Sequence, residues 1–257
     1  MLYEQLPVPL IFVPYATDLA LRAAAGHPRA ELEIAAGTGA VTRELARALP
    51  TESDIVATDL NQAMIDHAAA IGTARPVQWR QADAMKLPFA DETYDLVVCQ
   101  FGVMFFADKP AALAETRRVL RPWGVLLFNV WDRIESNEFA HAVTAALDTL
   151  FPHDPPRFLA RTPHGYHDRE QIAADLVRAG FGGGASMNTV AARSLADSAW
   201  KPAMAYCQGT PLRNEIEARG SVSLEQATQH TAQAISRRFG AGPVDGAIQA
   251  HVVSVTK

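Results

Sequence analysis

Between residue 30 and about residue 130, short apolar runs alternate with stretches whose apolar residues recur at helical spacing. Residues 32–36 are apolar around Glu33 and run into glycine-rich sequence, which predicts a buried strand. Val41, Leu45 and Leu49 then follow a helical period until Pro50 stops it. A second strand is predicted at residues 55–58, ending at Asp59. Asn61 is placed to cap a helix that carries Met64, Ile65 and Ala68 as far as Gly72. Residues 77–80 and 94–99 read as the third and fourth strands. Asp108 and Pro110 open a helix through Leu113, Val119 and Leu120. Residues 121–124 read as a turn into a fifth strand at 125–130. Strand–helix alternation with solidly apolar strands predicts an α/β fold, a parallel sheet covered on both faces.

After Trp131 the pattern lapses. One helix is expected near residues 139–150, followed by a loop rich in proline, histidine and arginine. Asp168 with Gln171 has the spacing of a capping box, and Ile172, Leu176 and Val177 extend that helix to Gly180. Residues 187–193 predict a sixth strand. An all-helical stretch follows, with one helix at 211–219 and another from the capping box Ser223/Gln226 to Phe239. Residues 251–255 predict the last strand. So long a helical insertion between the final two strands reads as a cap.

Composition narrows the class. With 49% apolar and 20% charged residues, the chain has ample material for a core and is not a disordered polymer. Residues 1–130 carry 15 acids and 11 bases, and the remainder carry 13 and 12, so neither half has the basic excess of a nucleic-acid binder. No apolar run reaches the roughly 18 residues of a membrane span. The apolar stretch at residues 8–16 is interrupted by Pro9 and Pro14 and lacks a basic leader. Two separated cysteines, Cys99 and Cys207, together with no signal, predict a reducing, cytoplasmic setting. No metal-ligand spacing is visible.

The candidate chemistry begins at Glu33-Ile34-Ala35-Ala36-Gly37-Thr38-Gly39-Ala40. Small residues after a strand either let a ligand approach the backbone and the next helix's N–H groups or simply pack strand against helix. Asp59, about 20 residues on, suits hydrogen bonds from both hydroxyls of a ribose. Asp83-Ala84 follows the third strand, where an acid either accepts from an adenine amine or closes a turn. Leu60, Met64 and Met85 either sandwich a base or belong to the core.

These blocks together resemble class I S-adenosylmethionine-dependent methyltransferases, in the small-molecule branch that includes the ubiquinone/menaquinone-biosynthesis C-methyltransferases. The resemblance runs from Glu33 to Asp132. It is carried by the glycine turn, Val56-Ala57-Thr58-Asp59, Gln81-Ala82-Asp83-Ala84, Leu87-Pro88-Phe89-Ala90-Asp91, Tyr94-Asp95 and Glu115-Thr116-Arg117-Arg118-Val119-Leu120-Arg121-Pro122. Residues 3–19, with Tyr15, resemble the N-terminal helix that packs over the cofactor in such enzymes. Trp123 departs from the family's usual glycine, and Ala35 replaces the usual first glycine of the turn.

The resemblance implies a Rossmann-like, seven-stranded, mostly parallel sheet whose last strand is antiparallel between strands five and six, with a helical cap. It implies one domain over residues 1–257. The core would take in about 26–131, 168–193 and 249–257, and the cap about 1–25, 132–167 and 194–248. S-adenosylmethionine would be held at its methionine part by Glu33, Ala35, Gly37 and Gly39, at its ribose by Asp59 and at its adenine by Asp83 and Ala84. Gln100 and Phe101 would sit beside the methionyl end or the substrate. The expected reaction is in-line methyl transfer to a small-molecule acceptor, giving S-adenosylhomocysteine, with no metal and no nucleic-acid or membrane partner. Tyr15, Phe101 or Trp131 could face the cation. His164 and His167 are the candidate bases if the nucleophile must lose a proton, and Tyr166, Arg161 and Arg213 are candidate substrate contacts. The strand–turn–helix with Asp59 also admits a nicotinamide-dependent oxidoreductase, and a non-catalytic module that binds S-adenosylmethionine is a further alternative.

Overall fold

The apolar runs become strands in the computed structural model, which describes residues 2–257. β1 (Ala30–Glu33), β2 (Asp54–Asp59), β3 (Gln78–Gln81), β4 (Tyr94–Gln100), β5 (Leu120–Trp131), β6 (Ser186–Ala196) and β7 (Val244–Thr256) form one sheet. Its order is β3-β2-β1-β4-β5-β7-β6. The first five strands run parallel, with Leu32 beside Val56 on one side and Val97 on the other. β7 is antiparallel to β5, as the resemblance implied.

Cα packing divides the chain into two compact units. One comprises residues 14–130, 166–189 and 251–257. Its helices α2 (Ala40–Ala48), α3 (Gln62–Ile71) and α4 (Lys109–Val119) follow β1, β2 and β4. Asn61 and Asp108 cap α3 and α4 by accepting from the amides of Ala63 and Ala111. Leu32, Val97, Val98 and Phe128 are buried on the central strands. Arg118 fastens the segment after β3. Its guanidinium donates to the carbonyls of Phe89 (2.8 Å) and Leu87 (3.0 Å) and to the carboxylates of Asp91 and Glu115 (both 2.8 Å). That fork of donors matches the work a guanidinium does and an ammonium cannot.

The other unit comprises residues 2–13, 131–165 and 190–250. It contains α5 (Glu138–Leu150), α7 (Trp200–Cys207), α8 (Leu212–Arg219) and α9 (Leu224–Phe239), with α6 (Arg169–Arg178) belonging to the first unit. α9 packs on α5 and α7, and Phe139 meets Phe239 edge to face at 5.0 Å. Asn137, fully buried, donates to the Gln249 carbonyl (3.2 Å) and accepts from the Gln249 amide (3.1 Å). Gly246 lies under the Phe139 ring, which a Cβ there would approach to 3.1 Å.

Several expectations are corrected. β1 ends at Glu33 rather than at residue 36, because Ala35 turns into the left-handed region at φ 56°. Residues 121–124 are not a turn before β5 but a bulge within it, where the register with β4 shifts between Tyr94 and Leu96. β7 begins at Val244, seven residues before the predicted start, because its first half also alternates buried and exposed positions. Asp168 caps α6 through the amides of Glu170 and Gln171, but Gln171 turns its own amide to Asp175, so the box is not reciprocal. At Ser223 both bonds of the box form. Pro9 and Pro14 do not break the N-terminal helix: Pro9 opens a π-helical segment (Val8–Phe12) and Pro14 sits in the first turn of α1 (Val13–Ala25). Residues Val8–Ala25 therefore do form one window long and apolar enough to cross a membrane by length and composition, with mean hydropathy 1.3 and 44% of it buried.

The Trp123 position explains its own oddity. Its backbone is left-handed at φ 69°, and its side chain is 84% exposed. A non-glycine residue carries about 1–2 kcal/mol of strain there, and an exposed ring returns little by burial. Trp123→Gly is expected to raise stability by about 0.5–1 kcal/mol, net of glycine's extra chain entropy. A lower urea midpoint in the variant would contradict this account of the bulge.

Candidate functional site

Beyond Glu33 the chain makes a run of left-handed turns, with φ 56° at Ala35, 57° at Gly37 and 79° at Gly39. A Cβ at Gly37 would meet nothing within 4 Å, so the space over this turn is open. At Gly39 it would come within 3.0 Å of the Trp79 ring and 3.2 Å of Ala68, so glycine there lets the turn pack on α3. Gly39 caps α2, whose first amides have no intrahelical acceptor. The Thr38 hydroxyl is buried and has no hydrogen-bond partner among the described residues.

Asp59, at the end of β2, reaches across to this turn. Its Oδ2 accepts from the Gly37 amide and its Oδ1 from the Asn61 amide, both at 2.8 Å. A carboxylate has about four lone-pair sites, so two hydroxyl donors can still be accommodated. Asp83 accepts from the Met85 amide at 2.8 Å and so does close a turn, with Ala84 half-buried inside it. Leu60 is 67% and Met85 38% exposed, and Met64 is half-buried, so none of the three is core.

At the tip of β4, Phe101 is left-handed at φ 51°, and its ring meets the fully buried Tyr15 edge to face at 5.4 Å. A Cβ at Gly102 would lie 2.6 Å from the Ala35 Cβ, so the segment after β4 closes directly on the segment after β1. Asn129 of β5, fully buried, accepts the Phe101 amide at 2.9 Å and donates to Gln100 Oε1 at 3.4 Å. Nothing in the sequence pattern singled out Asn129. Its one signal was an amide in an otherwise apolar run.

Glu33 is buried and accepts from the Thr42 hydroxyl at 2.5 Å. Burial pushes its carboxyl up to about 8; the Thr42 bond and Arg43 oppose this, and Asp59 adds to it. Glu31, two residues earlier on the same face of β1, has neither carboxyl oxygen hydrogen-bonded among the described residues. Burial, then Glu33, raises it well above the usual range against the pull of Arg75. Cys99 and Cys207 are buried thiols, pushed up to about 12 and about 11.

The remaining candidates are placed as follows. Tyr166 donates its hydroxyl to Asp175 at 2.7 Å, and Lys109 stands 5.0 Å over its ring. His167 is half-buried. In the second unit, His164 is buried with Nδ1 2.8 Å from the Asp132 carbonyl, and its ring lies 6.0 Å from Trp131. Arg161 pairs with Glu215 at 2.6 Å, and Arg213 pairs with Glu217 one helical turn on at 3.0 Å. Both arginines are exposed, and both guanidiniums are already engaged.

Residues 32–128 match the family model described as a methyltransferase domain. The chain is 33% identical over 163 residues to the ubiquinone/menaquinone biosynthesis C-methyltransferase UbiE of Pseudomonas aeruginosa. The match takes in 58% of this chain and spans 64% of that relative's length. The enzyme of the same name from Stutzerimonas stutzeri is 32% identical over 170 residues, 61% of this chain and 66% of its own. Among solved structures, the YcgJ protein of Bacillus subtilis superposes with a TM-score of 0.60 at 16% identity, covering 95% of this chain and 98% of that one. A Haemonchus contortus phosphoethanolamine N-methyltransferase 2, solved with S-adenosyl-L-methionine, gives 0.52 at 14% identity over 89% of this chain and 48% of its own. At these identities the two structures establish a shared fold.

The two raised glutamates have a consequence for stability. A folded-state carboxyl that titrates above its unfolded value keeps its proton as pH rises through the unfolded value. Its contribution is complete below about 4.5 and is lost on the way to about 8 for Glu33. Asp95, Glu115 and Glu215 are lowered by arginine and backbone bonds, so their loss falls on the acid side of that window. The urea midpoint is expected to fall between pH 5 and 8. Glu31→Gln should shrink that slope by up to about 1.4 kcal/mol per pH unit. An unchanged slope in the variant would show that Glu31 ionises normally in the folded chain.

Proposed function

We propose that this chain transfers a methyl group from S-adenosylmethionine to a small-molecule acceptor. The observation that carries the reading is the Asp59 carboxylate, tied to the Gly37 amide beside a turn whose overlying space is open. The residues present fit the group: a carboxylate with spare lone pairs suits two ribose hydroxyls, and the orphaned Thr38 hydroxyl and the α2 amides suit polar atoms laid over the turn. Asp83 and Ala84 flank the adenine, with Leu60, Met64 and Met85 offering exposed or half-buried apolar contact. Glu33, Ala35, Gly37 and Gly39 border the methionine part, and Tyr15 sets the Phe101 ring beside it.

When bound, S-adenosylmethionine supplies an electrophilic methyl group on a positively charged sulfur. Displacement at that carbon asks the protein chiefly for alignment, and positioning alone contributes up to about 7–11 kcal/mol in model reactions. Where the acceptor must lose a proton, His164 and His167 are the candidate bases. The UbiE relatives are named as C-methyltransferases of quinone biosynthesis, which supports a carbon nucleophile for this chain.

Two measurements test this. S-adenosylhomocysteine at millimolar concentration should raise the melting temperature of the wild-type chain, and Asp59→Ala should weaken its binding about 10- to 100-fold, the worth of one or two charge-assisted bonds. Labelled methyl from S-adenosylmethionine should appear in a metabolite pool, at a rate His164→Gln lowers without changing S-adenosylhomocysteine affinity. No thermal shift in the wild type would end the proposal.

A further inference from the structure

The amino edge of the sheet, at the other end of the strands from Gly37 and Phe101, holds a second opening. A cavity of about 730 Å³ lies between the end of α1 and strands β4, β5, β7 and β6, lined wholly by residues of the first unit. That volume falls within the range of small-molecule sites. Strand order builds it. Arg29 precedes β1, Asp95 stands at the start of β4 and Trp123 near the start of β5, and these three strands are neighbours. Across two strand spacings the backbones of Arg29 and Trp123 stand about 10 Å apart.

Each wall offers one kind of contact. The floor is made by Leu96, Leu127 and Val252, which are buried and have little area left for an alkyl chain. The largest apolar side chain left open there is Trp123, whose ring is exposed. A flat π-system gains most from such a face. The charged lining is cationic in balance: two arginines, Arg22 and Arg29, against one acid, Asp95, in a chain whose net charge is -5. Asp95 is already engaged. Its Oδ2 accepts the amides of Arg29 (3.0 Å) and Ala30 (2.9 Å), and its Oδ1 accepts from the Arg121 guanidinium (2.7 Å). Arg22 is engaged as well, by Asp18 one turn back on α1. The Arg29 main chain is therefore fixed by Asp95, while its guanidinium makes no hydrogen bond or ion pair among the described residues. That planar fork of N–H donors matches a carboxylate.

We propose that this cavity binds a flat aromatic carboxylate, its rings against Trp123 and its carboxylate on Arg29. The site shares no residue with the one assigned to S-adenosylmethionine, so the proposal stands apart from the methyltransferase reading.

The probes are 2-naphthoate, the uncharged 2-naphthalenemethanol and the ringless decanoate. Each is titrated by calorimetry against the wild-type chain, Trp123→Gly and Arg29→Gln. 2-Naphthoate should saturate one site per wild-type chain. Each other probe lacks one of the two contacts and should bind about 10-fold more weakly. Trp123→Gly and Arg29→Gln should each weaken 2-naphthoate about 10-fold. 2-Naphthalenemethanol should be indifferent to Arg29→Gln, and decanoate to Trp123→Gly. Trp123→Gly is expected to be the more stable chain, so its loss of binding cannot come from unfolding. Saturating S-adenosylhomocysteine should leave 2-naphthoate affinity unchanged. No saturable binding of 2-naphthoate, its displacement by S-adenosylhomocysteine, or full affinity in either variant would overturn the proposal. Decanoate bound as tightly as 2-naphthoate would overturn the aromatic assignment, and 2-naphthalenemethanol bound as tightly would overturn the anionic one. If S-adenosylhomocysteine itself fails to bind, the methyltransferase reading falls while saturable 2-naphthoate binding, lost in both variants, still upholds this site.

Discussion

The carboxylate of Asp59 is the join on which the candidate site depends. It sits at the end of one parallel strand and accepts the amide of Gly37, in the turn that ends its neighbour. Its other oxygen accepts Asn61, the cap residue of α3. One side chain therefore holds a left-handed turn, a strand end and a helix start in register. A glycine turn with nothing to hold it would spend its conformational freedom in many shapes. With the acid in place, the Gly37 amide is satisfied and the carboxylate keeps lone pairs to offer. The same bond that organises the backbone leaves the group able to take a ligand.

Against this, the central strand carries chemistry that a stable sheet would avoid. Strands buried on both faces are ordinarily apolar throughout, yet β1 places Glu31 and Glu33 on one face, both fully buried. Glu33 has a threonine donor and a nearby arginine, whereas the two oxygens of Glu31 have no hydrogen bond among the described residues. Keeping such groups in the interior costs free energy, which the carboxyls limit by holding their protons. Glu33 borders the open turn. Glu31 lies deeper on the strand, where Arg75, with two buried nitrogens that have no hydrogen bond among the described residues, opposes the rise.

The strands and caps were legible because each rests on a local rule. Apolar runs marked β2 and β4, and Asn61, Asp108 and Ser223 capped the helices the spacing assigned to them. Asp59 was legible by its distance from the glycine turn. What escaped depends on pairing between distant residues. The bulge in β5 follows from its register against β4, and the early start of β7 from partners far away in sequence. Asn129 escaped for the same reason, since an amide in an apolar run reads as an ordinary strand residue until Phe101 is seen donating to it. The two arginines were legible as charges, but their engagement with Glu215 and Glu217 was not.

Strain separates the two ends of the sheet. At the carboxyl edge, Ala35 and Phe101 both hold left-handed backbone, and both are compensated. Gly102 packs on Ala35, while Asn129 and Tyr15 hold Phe101 by its amide and its ring. At the opposite end Trp123 is equally left-handed, but its ring is exposed, and the neighbouring Gly124 carbonyl accepts from the Lys257 amide. Strain held by several buried partners implies a geometry the fold is built to keep. Strain in an exposed bulge implies only that the sheet tolerates it. The shape of the carboxyl edge is therefore enforced by the interior, and a ligand arriving there meets a surface already formed.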